Sequence, residues 1–239
     1  MLIALNCGHC KSGTTASGAV GYLNESDENR VLGKKIKTLL EKNGHIVIDA
    51  TVDRASSASA CLKEAVSKAN AKKVDLSVSI HFNAGVEQAN GTEVFIYSST
   101  SKSKDTATRV VNNLASIGFR NRGVKTNSSL YWLKNTNSPS ILIETCFVSN
   151  KSDSDLYKKR TDDIARAIVE GILGKKVLDS GTSSNNAGTV NTNNTSNKTI
   201  YRVIGDGKRI GSYSVIDNTL NEVKKLIENK CTKIEIEKV

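Results

Sequence analysis

Through the first 175 residues, short β-forming runs alternate with stretches whose apolar side chains recur every three to four positions. That alternation leaves few folds open. Strands joined by crossover helices assemble as a mostly parallel, twisted sheet with helices on both faces, the α/β class. Residues 2–6 read as a buried strand. Residues 27–43 place Val31, Leu32, Ile36, Leu39 and Leu40 on one helical face and stop at Gly44. A strand is expected over 45–49, and a helix over 57–71 through Cys61, Leu62, Ala65, Val66 and Ala69. Strands follow over 75–82 (DLSVSIHF) and 91–97 (GTEVFIY), a helix over 105–117, strands over 131–134 and 140–145, and a last helix over 153–173.

The pattern then breaks. Residues 179–197 spell DSGTSSNNAGTVNTNNTSN, a Ser/Thr/Asn text with too little apolar surface to fold. The expected organisation is a large domain over 1–175, a linker over 176–198 and a small α+β module over 199–239. The module reads as strand (IYRVIG), turn at Asp206-Gly207, strand (KRIGSYS), helix over 220–229 and strand (KIEIEK). At roughly 40 residues such a module is marginal alone, so it is expected to dock or to dimerise through a second copy.

A net charge of +10 implies an anionic partner. The lysines are scattered rather than striped and interleaved with aromatics, which argues against nucleic acid. Apolar runs such as 141–143 fall far short of the ~20 residues of a membrane span, so no membrane insertion is expected. MLIALN lacks the charged opening of a signal peptide, and synthesis in a cytoplasm without one is the expectation. Five cysteines, three of them isolated, suit a reducing compartment better than a disulfide scaffold.

Two of those cysteines form a C-x-x-C in NCGHCK, residues 6–11. A dithiol enzyme places its first cysteine at a helix N-terminus, where the dipole lowers the thiol pKa. Here KSGTTASGAVGYLNES follows, with glycines at 13, 18 and 21, and reads as a loop. The histidine inside the motif carries more weight. Ligands of such sheets bind beyond the carboxyl ends of strands, and three strands end in reactive residues: His9, His81 and Glu144. Catalytic zinc takes three protein ligands and keeps one open position, so two histidines call for a carboxylate. Glu25, Asp27 and Glu28 in NESDENR all stand where acids also favour a helix start, and spacing leaves the choice open. His45 opens a strand and reads as structural.

In order along the chain, NCGHC, GAVGYLNESDEN, DLSVSIHFNA, GTEVFIY, RGVK and SPSILIETCFVSN resemble the zinc-dependent N-acetylmuramoyl-L-alanine amidase family, over almost all of 1–175. The resemblance implies Zn2+ held by His9, Glu25 and His81, Glu144 as the catalytic glutamate, and Asn83 supporting the metal shell or the substrate. It implies hydrolysis of the bond between N-acetylmuramic acid and L-alanine in peptidoglycan. The expected role is that of a phage endolysin acting on the wall after release, with anionic wall polymers as partners of the C-terminal module. A bacterial autolysin, or a wall-binding protein without catalysis, are the alternatives. Cys10 departs from the small residue usual there. Division-associated members of the family carry an inserted helical segment that blocks the metal; the short stretch around 84–91 implies no such self-inhibition.

Overall fold

The computed structural model describes residues 1–177, 201–206, 208–213 and 234–238. The chain divides into two compact units, Met1–Thr182 and Ser183–Val239. In the first, the elements run β1 (Leu2–Cys7), α1 (Glu25–Lys42), β2 (Ile46–Asp49), α2 (Ala58–Asn70), β3 (Leu76–Asn83), β4 (Thr92–Ile96), α3 (Lys104–Ile117), β5 (Asn121–Thr126), α4 (Tyr131–Asn135), β6 (Ser140–Phe147) and α5 (Lys151–Leu173). The strands form one sheet in the order β2-β1-β3-β6-β4-β5. β2, β1, β3 and β6 are parallel; β4 runs antiparallel to β6 and carries β5 parallel beside it. This is the α/β fold expected.

Period-two alternation in the strands distributes the core over both faces. Ile3, Leu5, Val78, Ile80, Ile141 and Ile143 join α1, α3 and α5 in one apolar cluster. Ala4 and Leu142, pointing the other way, join α2 and α4 in a second. Helix boundaries follow local chemistry. The Asn24 side chain accepts from the Asp27 N–H and caps α1, Asn150 does the same for α5 through Asp153, and Gly174 in the left-handed region ends α5. A Cβ at Gly171 would lie 2.7 Å from Val110 Cα, so α5 and α3 meet backbone to backbone only because that position is bare.

One expectation is corrected, and one strand was not foreseen. Residues 131–134 are not a strand but the single helical turn α4, which drops Trp132 and Leu133 into the second cluster. The strand in that part of the chain is β5, NRGVKT, a sheet edge without apolar alternation. Edge strands carry such polar text because one side is unpaired.

In the second unit, β7 (Tyr201–Gly205), β8 (Lys208–Tyr213) and β9 (Ile234–Lys238) form an antiparallel sheet in the order β8-β7-β9. The expected helix over 220–229 and nearly all of the expected linker lie outside the described residues. No described helix is long and apolar enough to cross a membrane.

Candidate metal centre

β1 delivers the chain to a loop that is bound on every side. Gly8 N–H donates to the Ile80 carbonyl at 2.9 Å, and Asn29 Nδ2 donates to the Gly8 carbonyl at 3.0 Å. His9 stands at φ 62°, a left-handed conformation uncommon for a residue with a side chain. Arg30 Nη2 holds it there by donating to the His9 carbonyl at 3.1 Å, while also binding the Val52 carbonyl. The loop is therefore fastened to α1 and to the end of β2.

Glu25 is the first residue of α1 and is buried. Its Oε2 accepts from Ala19 N–H at 2.9 Å and its Oε1 from Phe82 N–H at 3.1 Å, so two backbone donors set its orientation. Oε1 then lies 3.3 Å from His9 Nε2 and 3.1 Å from His81 Nδ1. Asp27 points to solvent and Glu28 is half-buried without meeting either histidine. Glu25 is thus the acid that the fold brings to the histidines. Burial opposes its ionisation, but hydrogen bonds from His81 and His9 outweigh this and hold the carboxyl well below the usual carboxylate range. For His9, burial disfavours the charged form, yet the Glu25 hydrogen bond and charge raise its pKa overall.

The trio fits a zinc ion. Its three donor atoms lie within 4.8 Å of one another and, among the described residues, make up the cluster able to hold a metal. Separations of 3.1 and 3.3 Å match the edge of about 3.3 Å of a tetrahedron with metal–ligand bonds of ~2.0 Å. Two glycines form the cradle. A Cβ at Gly8 would come 2.2 Å from the His81 ring, and one at Gly18 would come 2.5 Å from Glu25 Oε2. Side-chain exposures of 36% for His9, 16% for His81 and 4% for Glu25 show a site closed beneath the carboxylate and open over the histidines.

Glu144 in β6 sits in register with His81 of β3 on one side and with Glu93 of β4 on the other. In-register neighbours project to the same face, so the three form a row across three strands. Glu144 Oε2 is buried without a protein hydrogen-bond partner, beside the row of His81 and Glu93. Burial, then the charges of Glu25 and Glu93, push the Glu144 carboxyl up to about 8.

Asn83 does not reach the trio. Its Nδ2 donates to Glu93 Oε1 at 2.8 Å, and its Oδ1 accepts from Ala84 N–H. Glu93 is the residue sequence reasoning missed. It is buried, and it accepts from Arg122 Nε and Lys125 Nζ, each at 2.7 Å. Burial raises its pKa, but those two cations prevail and keep it low. The available signal was an acid inside a strand pattern (GTEVFIY) followed by a basic RGVK.

The C-x-x-C comes apart in the fold. Cys7 is buried beneath α1, where a Cβ on Gly33 would lie 2.3 Å from its sulfur. Cys10 faces the opposite cluster and donates to Cys61 Sγ at 3.1 Å. Neither belongs to the metal-capable trio. A cavity of about 350 Å3 opens beside α1, lined in part by Cys7, Arg30, Lys34 and Lys37, but not by His9, Glu25, His81 or Glu144.

A family profile described as N-acetylmuramoyl-L-alanine amidase matches residues 3–174. An uncharacterised protein of Clostridium perfringens is 36% identical over 182 residues, covering 74% of this chain and 53% of its own length. The N-acetylmuramoyl-L-alanine amidase LytC of Bacillus subtilis is 35% identical over 179 residues, 72% of this chain and 34% of LytC. The endolysin of Bacillus phage SPP1 is 32% identical over 180 residues, 72% of this chain and 64% of the endolysin. The chain thus spans about half of the first relative and a third of the second. Among solved structures, the catalytic domain of the CD27L endolysin targeting Clostridia difficile superposes with a TM-score of 0.68 at 33% identity, covering 74% of this chain and 99% of that domain.

Proposed function

The chain belongs to the N-acetylmuramoyl-L-alanine amidase family, and from that premise we propose that it hydrolyses the amide joining N-acetylmuramic acid to L-alanine in peptidoglycan. The observation that carries the reading is the Glu25 carboxylate held between His9 and His81, with the unpartnered Glu144 Oε2 in the adjoining row. His9, Glu25 and His81 would hold a zinc ion, which would supply Lewis acidity towards a water and an amide carbonyl.

The protein's own groups account for the rest. Glu25, fixed by two backbone N–H groups, keeps both imidazoles in place and supplies the negative charge a cation needs. Glu144 takes the proton of the attacking water at a carboxylate oxygen and returns it to the departing L-alanine nitrogen. A carboxyl raised towards neutrality by burial suits that exchange. Glu93, pinned by Arg122 and Lys125, maintains negative charge on the far side of Glu144. Asn83 contributes through Glu93, holding that end of the row.

Similarity to the SPP1 and CD27L endolysins supports a role in lysing a bacterial host from within, reaching the wall after release. The positive charge favours retention on wall polymers bearing phosphates and carboxylates, and the C-terminal unit serves as tether. The test is digestion of purified walls with and without chelator, with products analysed by mass. Release of peptides with a new N-terminal L-alanine, abolished by chelator and restored by zinc, is expected. Cleavage within the glycan or between peptide residues would overturn the assignment.

A further inference from the structure

The buried pair Cys10–Cys61 has no part in the proposed hydrolysis. The two sulfurs lie 3.1 Å apart, about 1.1 Å more than a disulfide bond of ~2.04 Å requires. They join elements distant in sequence, the loop that carries His9 and the first turns of α2. Both residues are buried, Cys10 completely, and access to them runs through the start of α2. Cys61 is the fourth residue of α2, and residues 56–59, ahead of the half-buried Ala60, are exposed. Fraying of that helix end, the kind of local opening open to exposed helix termini, would uncover the Cys61 sulfur.

We propose that Cys10 and Cys61 are a disulfide site, reduced where the protein is made and oxidised once it works outside the cell. The enzyme would then carry one covalent clamp between the His9 loop and α2. The exchange with a small disulfide such as oxidised glutathione balances as follows. The Cys61 thiolate attacks one glutathione sulfur, breaking its S–S bond and expelling one glutathione thiolate. The Cys10 thiolate then attacks the Cys61 sulfur of the mixed disulfide and expels the second. Two electrons pass from the cysteines to glutathione, and the two cysteine protons end on the two glutathione thiols. Cys7 takes no part, because it is buried on the α1 side of the sheet.

Burial, followed by the hydrogen bond with Cys10, pushes the Cys61 thiol up to about 12, so exchange in the folded protein is slow. Oxidation should therefore run overnight at mildly alkaline pH with oxidised glutathione on the full chain, followed by alkylation under denaturing conditions and peptide mapping. The expected result is a Cys10–Cys61 linked peptide, an intact-mass loss of about 2 Da and a melting temperature raised by about 5–10 °C, all reversed by dithiothreitol. Cys61→Ala should show none of these changes. Recovery of Cys10 and Cys61 both alkylated, or a Cys7–Cys10 link instead, would overturn the proposal. The mapping needs no wall substrate, so its outcome is independent of the amidase reading.

Discussion

At the scale of single residues, the centre depends on which carboxylate does what. Glu144→Gln removes a proton acceptor but leaves the trio untouched; it should keep bound zinc and lose about 10²–10⁴-fold in wall hydrolysis. Glu25→Ala should lose both metal and activity, whereas Glu28→Ala, away from the histidines, should keep both; elemental analysis beside a lysis assay separates them. Gly8→Ala would force a methyl group to within 2.2 Å of the His81 ring. The expected outcome is a folded protein by circular dichroism with zinc affinity reduced at least tenfold. The sequence reading places His9, His81 and Glu144 at strand ends. In the structure His9 follows β1, whereas β3 continues to Asn83 and β6 to Phe147, so His81 and Glu144 lie within their strands. Glu25 was not separable from Asp27 and Glu28 by spacing, since all three satisfy a helix start equally. What distinguishes it is the N–H groups of Ala19 and Phe82, and a sequence does not show where those point.

Among elements, the β4–β5 edge carries the clearest pH signature. Glu93 is held below the ~4.3 of an unfolded-chain glutamate, so its contribution is complete above that value and is lost as pH falls through the lower folded pKa. Glu93→Gln should cost about 1–3 kcal/mol at pH 7 by leaving Arg122 and Lys125 without their carboxylate. Thermal melts should show that gap narrowing as pH falls below about 4.3. A gap independent of pH would mean that packing, not charge, carries the effect. The same edge shows where sequence reading fails. β5 offers Asn, Arg and Lys around one valine, because an edge strand with half-exposed faces needs no alternation. α4 has only five residues, too few for a helical period to appear, and its aromatic text imitates a strand. The longer helices and the buried strands, where periodicity spans several turns or a full apolar run, were read to within two residues.

For the molecule as a whole, the net charge of +10 and the two compact units give the proposed separation of wall binding from chemistry a direct test. Raising salt from 50 to 500 mM should slow lysis of intact walls severalfold while leaving hydrolysis of small soluble muropeptides nearly unchanged. A chain ending at residue 177 should keep the second activity and sediment less with walls. The position of Glu25 has a further consequence. It binds Ala19 through both its side chain and its backbone N–H and opens α1, so an ion bound there would secure the end of that loop as well as a reaction centre. Because a ligand stabilises the form it binds, stripping zinc should expose residues 11–18 to proteases before the rest of the domain yields. The zinc in its surroundings would then set how long each molecule survives as well as how fast it works.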